Sequence, residues 1–410
     1  MLIHQDCLIA LNTLQEGSVD LICTDPPYGY SFLGKAWDID VPSVEMWTEC
    51  LRVLKAGSFC FVMSAPRQDV LTKMIHRLAE AGFVTSFTSI YWTYANGFPK
   101  ALNIGKAVDK RLGNHKKQVG GNPNHRTSDA LGKLGFQGGR GDGKITRGAS
   151  PFEGSYGGFQ PKPAVEVIVV AMKPLSERTY VDQALNNGKG VTWLDDGRIP
   201  IANGDEPRGG YGDEVIGYGP LDNMKGATWK ESPTKGLGRF PANLLVSDGL
   251  FERFGRFFDL DAWAQKTFPF LTVPKASKRE KQMGLEGRIN RHPTVKPLTL
   301  MTYLVTIGSR PGDTVLDPFM GSGTTCLAAK LLGRKYIGME KDEKYTDIAR
   351  ARVNAIGLLQ RTRGRRHVCS PPQRWRTPAY RMGHGRRCLR AVTGGRSARY
   401  HRAGRRLPEF

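Results

Sequence analysis

The sequence has no run of 18 apolar residues, no Cys-x-x-Cys pair and no Gly-Lys-Ser/Thr triplet. The first absence excludes a membrane-spanning helix, so no membrane partner is expected. The second, with an odd total of seven cysteines (Cys7, Cys23, Cys50, Cys60, Cys326, Cys369 and Cys388), argues against a disulfide framework or a structural zinc site and fits a reducing cytoplasm. The third excludes a phosphate-cradling P-loop. The opening MLIHQDCLIALNTL has no basic n-region and carries Asp6 early, so it does not read as a secretory signal. Negative charge is nearly missing from the far end, where residues 361–410 hold 15 arginines, no lysine and one acidic residue.

What is present is a chain of 410 residues, 40% hydrophobic and 24% charged, which is ordinary for a globular protein with a sizeable core. Its net charge of +22 is unevenly spread: −4 over residues 1–94, +8 over 95–290, +4 over 291–360 and +14 over 361–410. A polyanion such as nucleic acid would be drawn to the later blocks; a merely solvated basic surface is the alternative.

The first block alternates strand and helix patterns. Val19–Thr24 reads as a buried strand, Glu45–Leu54 as a helix, Ser58–Met63 as a strand, Val70–Ala79 as a helix and Phe83–Tyr94 as a strand. Residues 113–160 break the pattern with 13 glycines in 48 positions and read as a flexible basic loop. Ala164–Met172 is again a buried strand. Helix Leu298–Ile307, strand Thr314–Leu316, helix Thr324–Leu332, strand Tyr336–Met339 and helix Glu343–Val353 follow. Alternation of this kind predicts an α/β fold with a mostly parallel sheet and helices on both faces. The expected organisation is 1–94, an inserted Gly-rich basic region 95–290, 291–358 and an Arg-rich tail 359–410. The tail reads as a phosphate-binding arm or, preferably, as an extension that adds nothing to the fold.

Two motifs carry chemistry. Thr24-Asp25-Pro26-Pro27-Tyr28-Gly29 follows the strand VDLICT, at the carboxyl edge of a parallel sheet, where ligands bind in open α/β folds. The prolines stiffen the turn and remove backbone donors. The turn then offers a carboxylate, free carbonyls and one ring, a set suited to a planar substrate with an exocyclic amine. Asp25 accepts one amine hydrogen, the Pro26 carbonyl the other, and Tyr28 stacks on the ring. The second motif is Asp317-Pro318-Phe319-Met320-Gly321-Ser322-Gly323-Thr324-Thr325, a strand running through a glycine turn into a helix. Glu340 ends the next strand, about 20 positions on, where an acidic residue holds ribose hydroxyls. Cys326 stands where GxGxxG has its third glycine, and Asp317 would repel a pyrophosphate. A nucleoside with a cationic amino-acid end fits better than a dinucleotide, and S-adenosylmethionine is such a molecule.

With HPTVKP at 292–297, these motifs resemble the amino-group DNA methyltransferases, in the β order of motifs and over residues 1–94 and 291–358. GFPKA (97–101), EVIVVAMKP (166–174) and GRFPANLL (238–245) are similar to a bacterial and phage branch of that family. The resemblance implies a Rossmann-like methyltransferase fold, S-adenosylmethionine as cofactor and no metal. Asp25, Pro26, Pro27 and Tyr28 would hold a base flipped out of double-stranded DNA. Asp317, Phe319, Gly321, Gly323 and Thr324 would form the cofactor pocket, Glu340 would bind the ribose and Asp6 would contact the adenine. His292, Thr294 and Lys296 would complete the pocket from the other side. Trp92 and Asn96 border the base pocket in this reading, with Trp92 equally placed for the core. The insert would read the DNA, and a restriction endonuclease would be the cognate partner in a restriction-modification system. Asp rather than Ser ahead of Pro-Pro-Tyr implies adenine N6 as the target, with cytosine N4 as the alternative. Ring-carbon transfer needs a nucleophilic cysteine, usually after proline, and none of the seven follows one. A non-catalytic nucleic-acid-binding protein is the competing class.

Overall fold

The structure is a computed structural model that describes residues 1–30, 34, 36–94, 101–114, 117–121, 144–148, 150–159, 164–200, 238–246, 278–285, 287, 289–290, 292 and 294–363. Asn96, Gly97–Lys100, Pro293 and the Arg-rich tail beyond 363 lie outside these residues. The sheet and site belong to the unit 1–361.

Among the described residues ten strands form: β1 (Leu2–His4), β2 (Val19–Thr24), β3 (Leu54–Ser64), β4 (Ile90–Thr93), β5 (Lys117–Gly121), β6 (Lys144–Arg147), β7 (Val165–Met172), β8 (Leu244–Val246), β9 (Thr314–Asp317) and β10 (Lys335–Glu340). Eight of them make one sheet in the order β1-β10-β9-β2-β3-β7-β4-β8, and β5 pairs with β6 alone. Every neighbouring pair in the large sheet is parallel except the two that involve β7. The helices are α1 (Cys7–Asn12), α2 (Val44–Val53), α3 (Gln68–Glu80), α4 (Ile104–Leu112), α5 (Tyr180–Asn187), α6 (Lys278–Lys281), α7 (Leu298–Gly308), α8 (Thr324–Leu331) and α9 (Glu343–Arg363).

Strand alternation sorts the core into two layers. Leu21, Cys23, Phe59, Phe61 and Met63 face one side, where α7, α8 and α9 cover them through Leu304, Leu327 and Val353. Ile22, Cys60 and Val62 face the other, against Leu11 of α1, Trp47 and Cys50 of α2, and Met74 and Leu78 of α3. All six residues of β2 are buried, as a central parallel strand covered on both faces requires. Burying each large side chain stabilises the fold by about 1.5–3 kcal/mol.

Several expectations shift in detail. β3 starts at Leu54 instead of Ser58 because Leu54 pairs with Val19. The expected strand Phe83–Tyr94 contracts to Ile90–Thr93, where β7 and β8 offer partners, and Val84 makes one isolated bridge to Met172. Short α1, α4 and α5 escape the periodicity, since each is started by a polar cap: Asp6 on Leu8, Asn103 on Lys106 and Thr179 on Asp182. The expected loop 113–160 contains the antiparallel pair β5–β6. The sheet also draws β7 and β8 from the expected recognition region 95–290.

Candidate active site

The chain meets itself at the centre of the sheet. β2 and β9, nearly 300 residues apart in sequence, lie side by side and parallel, so Asp25-Pro26 and Asp317-Pro318 leave the same carboxyl edge. The hydroxyl of Thr24 donates to Asp317 Oδ1 at 2.7 Å and ties the two turns together. β10 adds Glu340 to this edge and β1 leads into Asp6. Because β7 runs antiparallel, its beginning, with Glu166, lies there too.

The first turn is an ionic cluster. Tyr28 donates its hydroxyl hydrogen to Asp25 Oδ1 at 2.6 Å, with Glu166 Oε2 3.1 Å from the same oxygen. The Lys296 ammonium lies 2.7 Å from Asp25 Oδ2 and 3.2 Å from Glu166 Oε2. Burial works against that ammonium, but Asp25 and Glu166 outweigh it and raise its pKa. Burial, reinforced by the same two carboxylates, pushes the Tyr28 phenol well above its ordinary value, so it stays neutral. Behind it, Asp38 is buried and its carboxylate accepts from the backbone N–H groups of Tyr28, Gly29 and Tyr30 at 2.7, 3.0 and 3.2 Å. Those bonds fix the turn after the prolines. Pro26 is buried and Pro27 half-buried.

The second turn is shaped by backbone. Gly321 and Gly323 have φ of +50° and +80°, which side chains rarely adopt. A Cβ on Gly321 would lie 2.7 Å from His292 Nε2, and one on Gly323 would lie 2.8 Å from Ala349 Cβ. Arg352, fully buried on α9, holds the turn by donating to the Ser322 carbonyl and hydroxyl and to the Thr324 hydroxyl at 2.6, 3.0 and 3.2 Å. Asp317 is buried; burial raises its pKa to about 6, against hydrogen bonds from Thr325 and Thr24, with the Asp25 charge adding to the rise. Phe319 packs on the second core layer. His292 stacks edge-on to Tyr345 at 4.5 Å, and burial lowers its pKa to about 4. Thr294 donates its N–H to His292 Nδ1 at 3.4 Å. Glu340 takes the Asp342 N–H at 2.8 Å, and burial raises its carboxyl pKa. Gln5 donates to the Glu340 carbonyl at 3.0 Å, which brings Asp6, an exposed helix cap, alongside.

Of the residues singled out from sequence, those of the Asp25 turn and the glycine turn, with Glu340, Asp6, His292, Thr294 and Lys296, collect on one edge in two adjoining groups. The Lys296 ammonium sits on the Asp25 carboxylate. Trp92 lies in the core. Sequence reasoning passed over Glu166, Asp38 and Arg352. A glutamate opening an otherwise apolar strand, Val165-Glu166-Val167, was the available signal for the first; nothing local marks the other two.

A DNA methylase family model, that of the N6/N4 methyltransferases, matches residues 19–351. The chain belongs to this family. Among curated relatives, it is 45% identical over 78 residues to the type II methyltransferase M.HinfI of Haemophilus influenzae, covering 19% of this chain and 21% of that protein. It is 46% identical over 71 residues to the type II methyltransferase M2.DpnII of Streptococcus pneumoniae, covering 17% and 26%. The matches thus span about a fifth to a quarter of those relatives. A solved structure, the cytosine-N4-specific PvuII DNA methyltransferase, aligns over 86% of this chain and 85% of its own with 16% identity and a TM-score of 0.42. Among the described residues, no helix is long and apolar enough to cross a membrane.

Proposed function

We propose that this chain is a DNA methyltransferase that moves the methyl group of S-adenosylmethionine to the exocyclic amine of a base flipped out of double-stranded DNA, adenine N6 being the target. The observation that carries the reading is the junction of the Asp25-Pro26-Pro27-Tyr28 turn with the glycine turn at Gly321–Gly323 through the Thr24–Asp317 hydrogen bond. An amine acceptor and a nucleoside cradle stand side by side, as direct transfer between two bound molecules requires.

The second turn fits the cofactor. Glycines at positive φ leave room where a Cβ would collide with His292 or Ala349, and a helix N-terminus opens beside them. Asp317, Phe319, Gly321, Gly323, Thr324, His292 and Thr294 would hold the cofactor, with Glu340 toward the ribose and Asp6 toward the adenine. When bound, S-adenosylmethionine supplies an electrophilic methyl on a sulfonium, a leaving group that calls for no metal. Asp25 and the Pro26 carbonyl orient the two amine hydrogens and turn the nitrogen lone pair outward; Tyr28 supplies the stacking ring. Adenine is preferred because the motif opens on Asp; cytosine N4 is the second reading, since the matching family takes in both amino-group targets. A cognate restriction endonuclease and a DNA-reading role for 95–290 belong to the same proposal.

The test is to incubate the purified full chain with unmethylated DNA and methyl-labelled S-adenosylmethionine, digest the DNA and identify nucleosides by mass spectrometry. Labelled N6-methyladenine is expected. N4-methylcytosine would move the target base, and salt-sensitive DNA binding with no labelled nucleoside would replace the enzyme by a binding protein.

A further inference from the structure

We infer that Glu166 is a positioning residue that keeps the amine pocket anionic. This rests on the proposed methyl transfer. Lys296 lies within ion-pair distance of both Asp25 and Glu166, so it cancels one of the two carboxylates. Two carboxylates and one ammonium leave a formal charge of minus one; without Glu166 the pocket would be neutral. Glu166 comes from β7, the antiparallel strand, whose direction brings its first residues to the edge where β2 and β9 end.

The charge matters because the reaction carries positive charge toward this cluster. An N–CH3 bond forms as the S–CH3 bond breaks, the sulfur keeps the bonding pair and becomes neutral, and the amine nitrogen becomes positive. One N–H proton then passes to the carboxylate pair and on to water; the side chains of Asp25 and Glu166 are 19% and 18% exposed, enough for solvent to reach them. A fixed negative charge beside the nitrogen favours the transition state over the ground state, in which the positive charge is still on sulfur. Tyr28 and Lys296 are the groups Glu166 touches, so the same residue also holds the stacking ring and the counter-ion in place.

Charge counting makes the test specific. Glu166→Gln leaves a formal charge of zero, Lys296→Met minus two, and the double variant minus one again. In the full chain, Glu166→Gln is expected to lower kcat by about 10- to 100-fold with the KM for S-adenosylmethionine changed less than about twofold. In the Lys296→Met background, where repulsion leads one of the two carboxylates to keep a proton, the same substitution removes no net charge and is expected to change kcat by less than about twofold. A second readout needs neither DNA nor cofactor. Lys296→Met leaves two carboxylates facing one another, so one of them should bind a proton more tightly. Equilibrium unfolding should show this variant gaining stability relative to the parent as pH falls from 8 to 5, and Glu166→Gln should remove that gain. The other titratable groups facing the cluster, Tyr28, Tyr94, His292, Asp317 and Cys23, are common to all four proteins. Equal damage by Glu166→Gln in both backgrounds, or unfolding curves without the pH-dependent gain, would overturn the inference. A parent chain that methylates no DNA would overturn the proposed function, while the unfolding cycle would still decide the charge pairing.

Discussion

The two turns at the sheet's carboxyl edge are built on opposite plans. The Asp25 turn is ruled by side chains, with four ionisable groups joined by bonds of 2.6–3.2 Å. The Asp317 turn is ruled by backbone: two glycines at positive φ, a helix start and one buried carboxyl held by hydroxyls. A cluster of charges can respond to charge that appears during a reaction, whereas a rigid cradle can only select shape. Damage to the first should therefore show in turnover, and damage to the second in binding and stability.

The largest expected effect tests the first half of that contrast. Asp25→Ala removes the acceptor and should lower kcat by about a thousandfold, on the order of 4 kcal/mol. Binding of S-adenosylmethionine, followed by calorimetry, should change by less than about threefold. Loss of cofactor binding by this variant would erase the distinction between the turns.

The next effect concerns the buried groups of the second turn, and it shows as stability against pH. Asp317 rises from 3.8 to about 6. Between those values the folded chain keeps a proton that the unfolded chain has lost, so this group makes stability fall as pH rises. His292 falls from 6.5 to about 4. Between those values the unfolded chain takes up a proton that the folded chain refuses, so stability rises with pH. In the parent the two oppose one another across the shared window. Asp317→Asn should unmask His292, with stability rising by about 2–3 kcal/mol over that window, and His292→Asn should give a fall of about the same size. Denaturant unfolding at several pH values checks both; two parallel curves would break the pairing.

The smallest effect sharpens the role of shape. Gly321→Ala places a side chain at a φ of +50° against His292. It should cost about 1–2 kcal/mol of stability and weaken cofactor binding, while kcat at saturating cofactor stays near that of the parent. A thermal melt and a saturation curve separate these outcomes. A selective loss of kcat would mean that this turn, too, takes part in the chemistry.

How much of this was legible in the sequence depends on the range of the interaction. β2 carries the apolar core Leu21-Ile22-Cys23 in a run of a strand's length, and α3 repeats Val70, Met74 and Leu78 every four residues, so both could be read within a ten-residue window. The Asp-Pro-Pro-Tyr and glycine turns were likewise local, because proline and glycine impose their geometry on their own backbone. α1 and α5 were not legible: at six and eight residues they are too short for periodicity to stand out, and their caps are common polar residues. Lys296 could be seen as part of a motif, but not the carboxylate it meets.

The sequence by itself therefore determined the longer strands and helices around the two motifs, the two turns and the family they resemble, since these follow from short-range sterics and hydrophobic spacing. Tertiary structure decided the rest. Only the sheet order brings Asp25 beside Asp317, and only the reversed direction of β7 delivers Glu166 to the Asp25 side of the edge. Only the segment leading into α7 carries the Lys296 ammonium 271 positions back to Asp25. Which charges meet depends on strand order and direction, and those are settled when apolar faces from distant parts of the chain bury one another.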